Sequence, residues 1–287
     1  MALAPVFVLT VLTVCLGVVA TGFVCLDRNR LRQTLAAVRP RLRDVGPYLA
    51  VVAAFFLARR VAHPASVALS YRIDWNITDA IYAIEGDVVA VIQAASAPGL
   101  LEYFTIMYMF GFPFLLIAAP ILYFGLARTR HLKSLLLAYV LNYAVGSLCY
   151  TLFIARGPRI HLDSVDGLMY EAYPQTQAMT AAISSNTNVF PSLHTSLAVV
   201  VLCFAWRTRR VYPRWFPIAA IVAGSVVYST MYLGIHWVVD VVAGILLAVW
   251  SVGAADRLRA RFDGASDPMA DAPRTNGSTA ADPDFGD

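Results

Sequence analysis

Two short segments carry the residues best suited to chemistry: Phe190-Pro191-Ser192-Leu193-His194-Thr195-Ser196 and Gly234-Ile235-His236-Trp237-Val238-Val239-Asp240. Both lie at the edges of apolar runs, where an ionisable group is costly and is a functional hypothesis by default. A neutral imidazole can attack an electrophile or move a proton near neutral pH. His236 and Asp240 are four residues apart, so a helix places them on one face. An aspartate bonded to one ring nitrogen leaves the other with a free lone pair; a structural His–Asp pair tying two helices accounts for the same spacing. Pro191 suits the first turn of a helix, where its missing N–H needs no partner. The free N–H groups of such a helix start, beside Ser192, Leu193 and His194, can receive an anion. A third segment, Arg156-Gly157-Pro158-Arg159, stops a helix and holds two guanidiniums whose fork matches phosphate oxygens. Interfacial arginines also snorkel to lipid headgroups, so this reading has a bland rival.

The elements that must position these residues are membrane helices. Hydrophobic residues make up 59% of the 287 and charged ones 14%, against about 25% charged in soluble domains. The expected fold is an all-α polytopic membrane bundle. The net charge of +4 comes from arginines clustered between apolar runs and implies no nucleic-acid partner. Cys15, Cys25, Cys149 and Cys203 fall in or beside apolar runs, without metal-ligand or disulfide spacing. Spans of about 20 residues are expected near 4–26, 45–62, 101–126, 133–154, 190–206, 215–233 and 236–255, about seven in all, with the first an uncleaved anchor. Arg28 to Arg43, Arg128 to Lys133, Arg207 to Arg214 and Arg257 to Arg261 follow alternate spans, which places those loops in the cytoplasm. Segments 63–100 and 155–189 then face outward, and all three polar segments emerge on that side.

The chain divides into N-terminal spans with an outer segment at 1–100, a membrane core at 101–262 and an acidic tail at 263–287 that cannot bury a core. In the outer segment, Thr78 and Asp79 are placed to cap a helix whose Ile77, Ile81, Ile84, Val88 and Val91 recur every three or four residues. That helix lies along the membrane surface or packs on the outer face of the bundle.

At its polar segments the chain resembles the type 2 phosphatidic acid phosphatase superfamily, and Phe190-Pro191-Ser192-Leu193-His194 looks most like the inositol phosphorylceramide synthase branch. Pro191, Ser192 and His194 fit the superfamily's Pro-Ser-Gly-His part, with Leu193 in place of glycine. His236 and Asp240 fit its histidine, three residues, aspartate part, with Thr230 in place of an arginine. Gly157-Pro158-Arg159 resembles the Pro-Pro-Arg form, and no lysine stands at the family's distance before it. The resemblance covers about residues 133–255. It implies a six-helix phosphatase core plus one helix, acting at the extracytoplasmic face on a lipid phosphate, diphosphate or phosphoinositol-type substrate. His236 would be the nucleophile that forms a phosphohistidine, Asp240 its orienter and His194 the acid that protonates the leaving oxygen. Arg156, Arg159 and the N–H groups near Ser192 and Leu193 would meet the phosphoryl charge. No metal or other cofactor is implied, and the product is that of a phosphatase or a phosphotransferase. The rival classes are a transporter or channel using His194, His236 and Asp240 as a proton or ion path, a metal site, and a scaffold. Polar residues gathered at one face, not strung across the membrane, favour the enzyme.

Overall fold

The computed structural model describes residues 3–95, 97–176 and 188–265. The tail expected from 263 onward therefore lies almost wholly outside the described residues, as does part of segment 155–189. Among the described residues the chain is helical, with two isolated bridges, Asn76 to Ile154 and Ala155 to Asn188, and no named strand. The helices are α1 Leu3–Cys25, α2 Arg28–Ala36, α3 Val38–Ile73, α4 Thr78–Glu85, α5 Val88–Ala94 and α6 Leu100–Ile106. A π turn, Met107–Gly111, joins α6 to α7 Phe112–Phe124; then come α8 Arg130–Leu152, α9 Pro158–His161, α10 Leu168–Ala172, α11 Leu193–Thr208, α12 Trp215–Tyr232 and α13 Val238–Ala265.

Among the described residues six helices are long and apolar enough to cross a membrane, and the protein is an integral multi-pass membrane protein. The seventh expected span is α11, with 16 residues. At 1.5 Å per residue it covers about 24 Å, short of the roughly 30 Å hydrocarbon core. Its start is late because Ser192 is the N-cap, its hydroxyl accepting from the Thr195 amide. Pro191 thus precedes the cap instead of filling the first turn, and its carbonyl accepts from the Tyr150 hydroxyl. The final span likewise opens at Val238, leaving His236 in the turn before it. The second span is longer than expected and carries Arg59, Arg60 and His63 well inside a continuous 36-residue helix.

α11 sits centrally, packed by α8, α12 and α13, while α1 and α3 lie outside against α7 and α8. Helix contacts in lipid lack a hydrophobic drive and depend on close packing of small residues. Ala198, Ala205, Ala219, Ala223, Ala248 and Ala255 are accordingly buried at these crossings. α1 instead turns Leu12, Leu16 and Phe23 outward, as a lipid-facing helix must.

The outer segment departs from the single helix expected there. Gly86, at φ 58, ends α4, so the periodicity restarts in α5 with a new phase. Ile81 and Val89 are buried, while Ile84 and Val91 are 76% and 70% exposed. Thr78 is the first helical residue and not the cap; its amide bonds the Asn76 side chain. Asp263 is also not tail: it is helical and bonds Lys133, Arg259 and Tyr48.

Candidate active site

The loop between α12 and α13 is set by backbone geometry. The amides of Ile235 and His236 both donate to the Thr230 carbonyl, at 3.0 and 2.9 Å. Gly234 sits at φ 67, a left-handed conformation that favours glycine, and its carbonyl accepts from the Arg159 amide at 3.1 Å. Gly157 lies so close to the Ile235 carbonyl that a Cβ there would stand 2.5 Å from the oxygen. Arg159 and His236 are therefore brought together by main chain pressed on main chain.

His236 is 4% exposed, and its Nδ1 lies 3.4 Å from Oδ2 of Asp240, which also accepts from the Trp237 amide at 2.9 Å. Asp240 is fully buried, and its Oδ1 has no partner. The carboxylate thus holds the turn and faces one ring nitrogen of His236. In the turn between two spans, burial and then the Arg159 guanidinium hold the His236 imidazole below the usual histidine range, with a Val189 backbone hydrogen bond acting the other way. The ring is neutral at physiological pH, which a nitrogen nucleophile requires.

His194 comes from the first turn of α11. Tyr108 stacks on it at 4.5 Å between ring centroids, and Phe112 lies at 4.4 Å. Tyr108 lies within the π turn and Phe112 directly follows it, before Pro113; such turns are often found at functional sites. The two imidazoles are 6.3 Å apart between centroids. As the first helical amides of α11, those of Leu193 and His194 have no intrahelical acceptor.

His194, His236, Arg159 and Leu193 line one cavity of about 400 Å³ that runs down between α3, α7 and α8 to Leu116 and Tyr139. Its wall is largely apolar and aromatic, with Phe56, Phe112, Leu116 and Tyr139 among its lining residues, and the imidazoles and the guanidinium share that lining. Arg159 is braced by Tyr170, 4.4 Å from the guanidinium carbon to the ring centroid.

Two expected phosphate ligands are placed elsewhere. Ser192 is fully buried outside the cavity lining: its hydroxyl is engaged with Thr195 and its amide donates to the Asp240 carbonyl. Its role here is to lock α11 onto α13. The Arg156 side chain is exposed and does not line the cavity, while its backbone accepts from the Trp237 indole and donates to Thr78. Glu85 was not anticipated, yet it caps α13, its two oxygens accepting from the Val238 and Val239 amides at 2.9 Å each. Its only sequence signal was an acidic side chain next to Gly86, which is too common to single out. Among the described residues no cluster of three or more His, Cys, Asp or Glu could hold a metal.

The PAP2 superfamily profile matches residues 79–254, more than half of the chain and all of this site. The chain belongs to the PAP2 superfamily. This PAP2 protein is also 26% identical over 148 residues to a protein of Methanocaldococcus jannaschii that is described only as uncharacterized. The match takes in 51% of this chain and 57% of the relative, so it spans little more than half the relative's length. No solved structure matches this PAP2 chain.

Proposed function

We propose that the protein transfers a phosphoryl group from a lipid phosphate through a phosphohistidine on His236. The observation that carries this reading is that both imidazoles and the Arg159 guanidinium line one cavity whose wall also holds apolar and aromatic residues suited to an acyl or isoprenoid chain. The free nitrogen of His236 attacks phosphorus; the bond from phosphorus to the lipid oxygen breaks, and His194, which takes up a proton from solvent when the phosphate anion binds beside it, gives that proton to the leaving oxygen. Arg159 and the amides of Leu193 and His194 meet the charge gathering on the phosphoryl oxygens. Neutral His194 then takes a proton from water or from an acceptor hydroxyl. The new oxygen displaces His236, and a phosphatase or phosphotransferase product results. Leu193 at the glycine position and the missing arginine favour the transferase branch, which resembles inositol phosphorylceramide synthases. The distribution of arginines puts the site at the extracytoplasmic face.

The test is phosphate release and lipid product formation by wild-type and His236→Ala protein in detergent. Lipid phosphates, lipid diphosphates and phosphatidylinositol are offered with EDTA throughout. Turnover by wild type alone, blocked by vanadate, is the expected result, and the product separates hydrolysis from transfer. Full activity in a well-folded His236→Ala variant would remove the assignment. No turnover on any lipid would favour a proton or ion path through the same residues and call for flux measurements.

A further inference from the structure

The cavity has a second polar cluster that the catalytic reading does not use. Arg59 and His63, one turn apart on α3, line the same cavity as His194 and His236, together with Ser147 of α8. Both residues lie outside the segment that matches the superfamily. An arginine within an apolar span is costly, and such residues pair with a partner or mark a functional site. Among the described residues this one has no carboxylate partner; its Nε donates to Ser147 Oγ at 3.0 Å, and its Nη1 lies 3.1 Å from His63 Nδ1.

A guanidinium only donates, so His63 Nδ1 is the acceptor and the ring proton of neutral His63 is on Nε2. Arg59 Nη2 and the His63 Nε2–H have no partner among the described residues. The pair therefore offers donors, one full positive charge and no acceptor. Not one Asp or Glu lines the cavity. Ser147 is next to Gly146, on which Leu193 packs, so this cluster abuts the start of α11 that carries His194.

We infer that Arg59 and His63 form a second anion subsite, which binds a phosphoryl group of the substrate other than the one passed to His236. The inference rests on the phosphoryl-transfer reading above and deepens it. A lipid bearing two phosphoryl groups in series would place its terminal one at His236 and Arg159 and its inner one at Arg59. The inner group leaves as a lipid monophosphate, whose added negative charge Arg59 stabilises as the bridging bond breaks.

The experiment compares a lipid diphosphate with the monophosphate of the same chain, as substrates for wild type and Arg59→Gln, with kcat and KM determined separately. Wild type is expected to favour the diphosphate by about tenfold or more in kcat/KM, in line with a charge-assisted bidentate contact. In Arg59→Gln that preference should collapse, with the diphosphate losing about 10- to 100-fold and the monophosphate less than about threefold. Residual monophosphate turnover certifies the fold of the variant. Arg59→Lys keeps the charge without the fork and serves if the glutamine variant is not monodisperse; it is expected to lose about tenfold on the diphosphate. An equal loss on both substrates, or a wild type without preference, overturns the subsite and leaves the catalytic reading intact. A wild type inactive on both lipids overturns both.

Discussion

The two ends of the helix bundle treat charge in opposite ways. At the end where α8 begins and α13 finishes, cations meet carboxylates: Lys133 bonds Asp44 at 2.7 Å and Asp263 at 3.3 Å, Arg259 bonds Asp263 at 3.0 Å, and Arg207 bonds Asp256 at 2.7 Å. At the cavity end, Arg159 and Arg59 have no carboxylate partner among the described residues. Asp240 turns one oxygen to an imidazole and a backbone amide, and Glu85 gives both of its oxygens to backbone amides. A charge closed by a partner holds helices in register; a charge left open in a cavity is a place for a ligand of the other sign. Lys133, the one lysine of the chain, is thereby tied into structure, and the two arginines are left free for the proposed substrate.

His236→Ala should break this contrast most severely, lowering turnover by at least about 10³-fold while the protein stays monodisperse; single-turnover capture of labelled phosphate on the protein reads the same loss directly. Asp240→Asn should follow, at about 10²-fold or more, because the aspartate positions the nucleophile without touching phosphorus. Its mark is a fall in kcat with little change in KM. Arg159→Gln is expected to cost about 10²-fold, the usual effect of removing a charge-stabilising donor; a change under threefold would show that α11 amides hold the phosphoryl group without it.

The pH profile sharpens the contrast further. His236 is held below the ordinary histidine value by burial and Arg159, so its reactive neutral form should persist as pH falls through about 6.5. Rapid-quench measurement of phosphoenzyme formation should show less than about a twofold loss attributable to the nucleophile between pH 7 and 5.5, where an unperturbed imidazole would lose nearly tenfold. At the paired end, Lys133→Met should leave kcat/KM within about twofold. It should lower the thermal midpoint by only a few degrees, because both carboxylate partners are more than a third exposed and such pairs are worth about 1 kcal/mol or less.

Much of the candidate site was legible in the chain. His236 and Asp240 are four residues apart and Pro191 signals a helix start just before His194, so local geometry is enough to pair the first two and to place the third in a first turn. The membrane bundle was legible because an apolar run of span length has one way to satisfy its backbone in lipid. Arg156 and Arg159 were indistinguishable by composition, being two arginines around one Gly-Pro step. The structure separates them because the Gly157 backbone presses on Ile235 and carries Arg159 inward, while the Arg156 side chain is left outside. Ser192 read as a phosphate ligand at a helix start, and in the structure its hydroxyl accepts instead from the Thr195 amide as the cap.

Composition and spacing thus specified a helical membrane protein with a His–His–Asp set near the membrane face, since spans and helix faces depend on residues close in sequence. Packing settled which charges stay open. Glu85 reaches α13 across 153 positions and Arg59 reaches Ser147 across 88, and no local periodicity encodes contacts at that range. Whether a buried charge is neutralised or exposed to a substrate depends on which helix lies beside it, and that follows only from how the bundle closes.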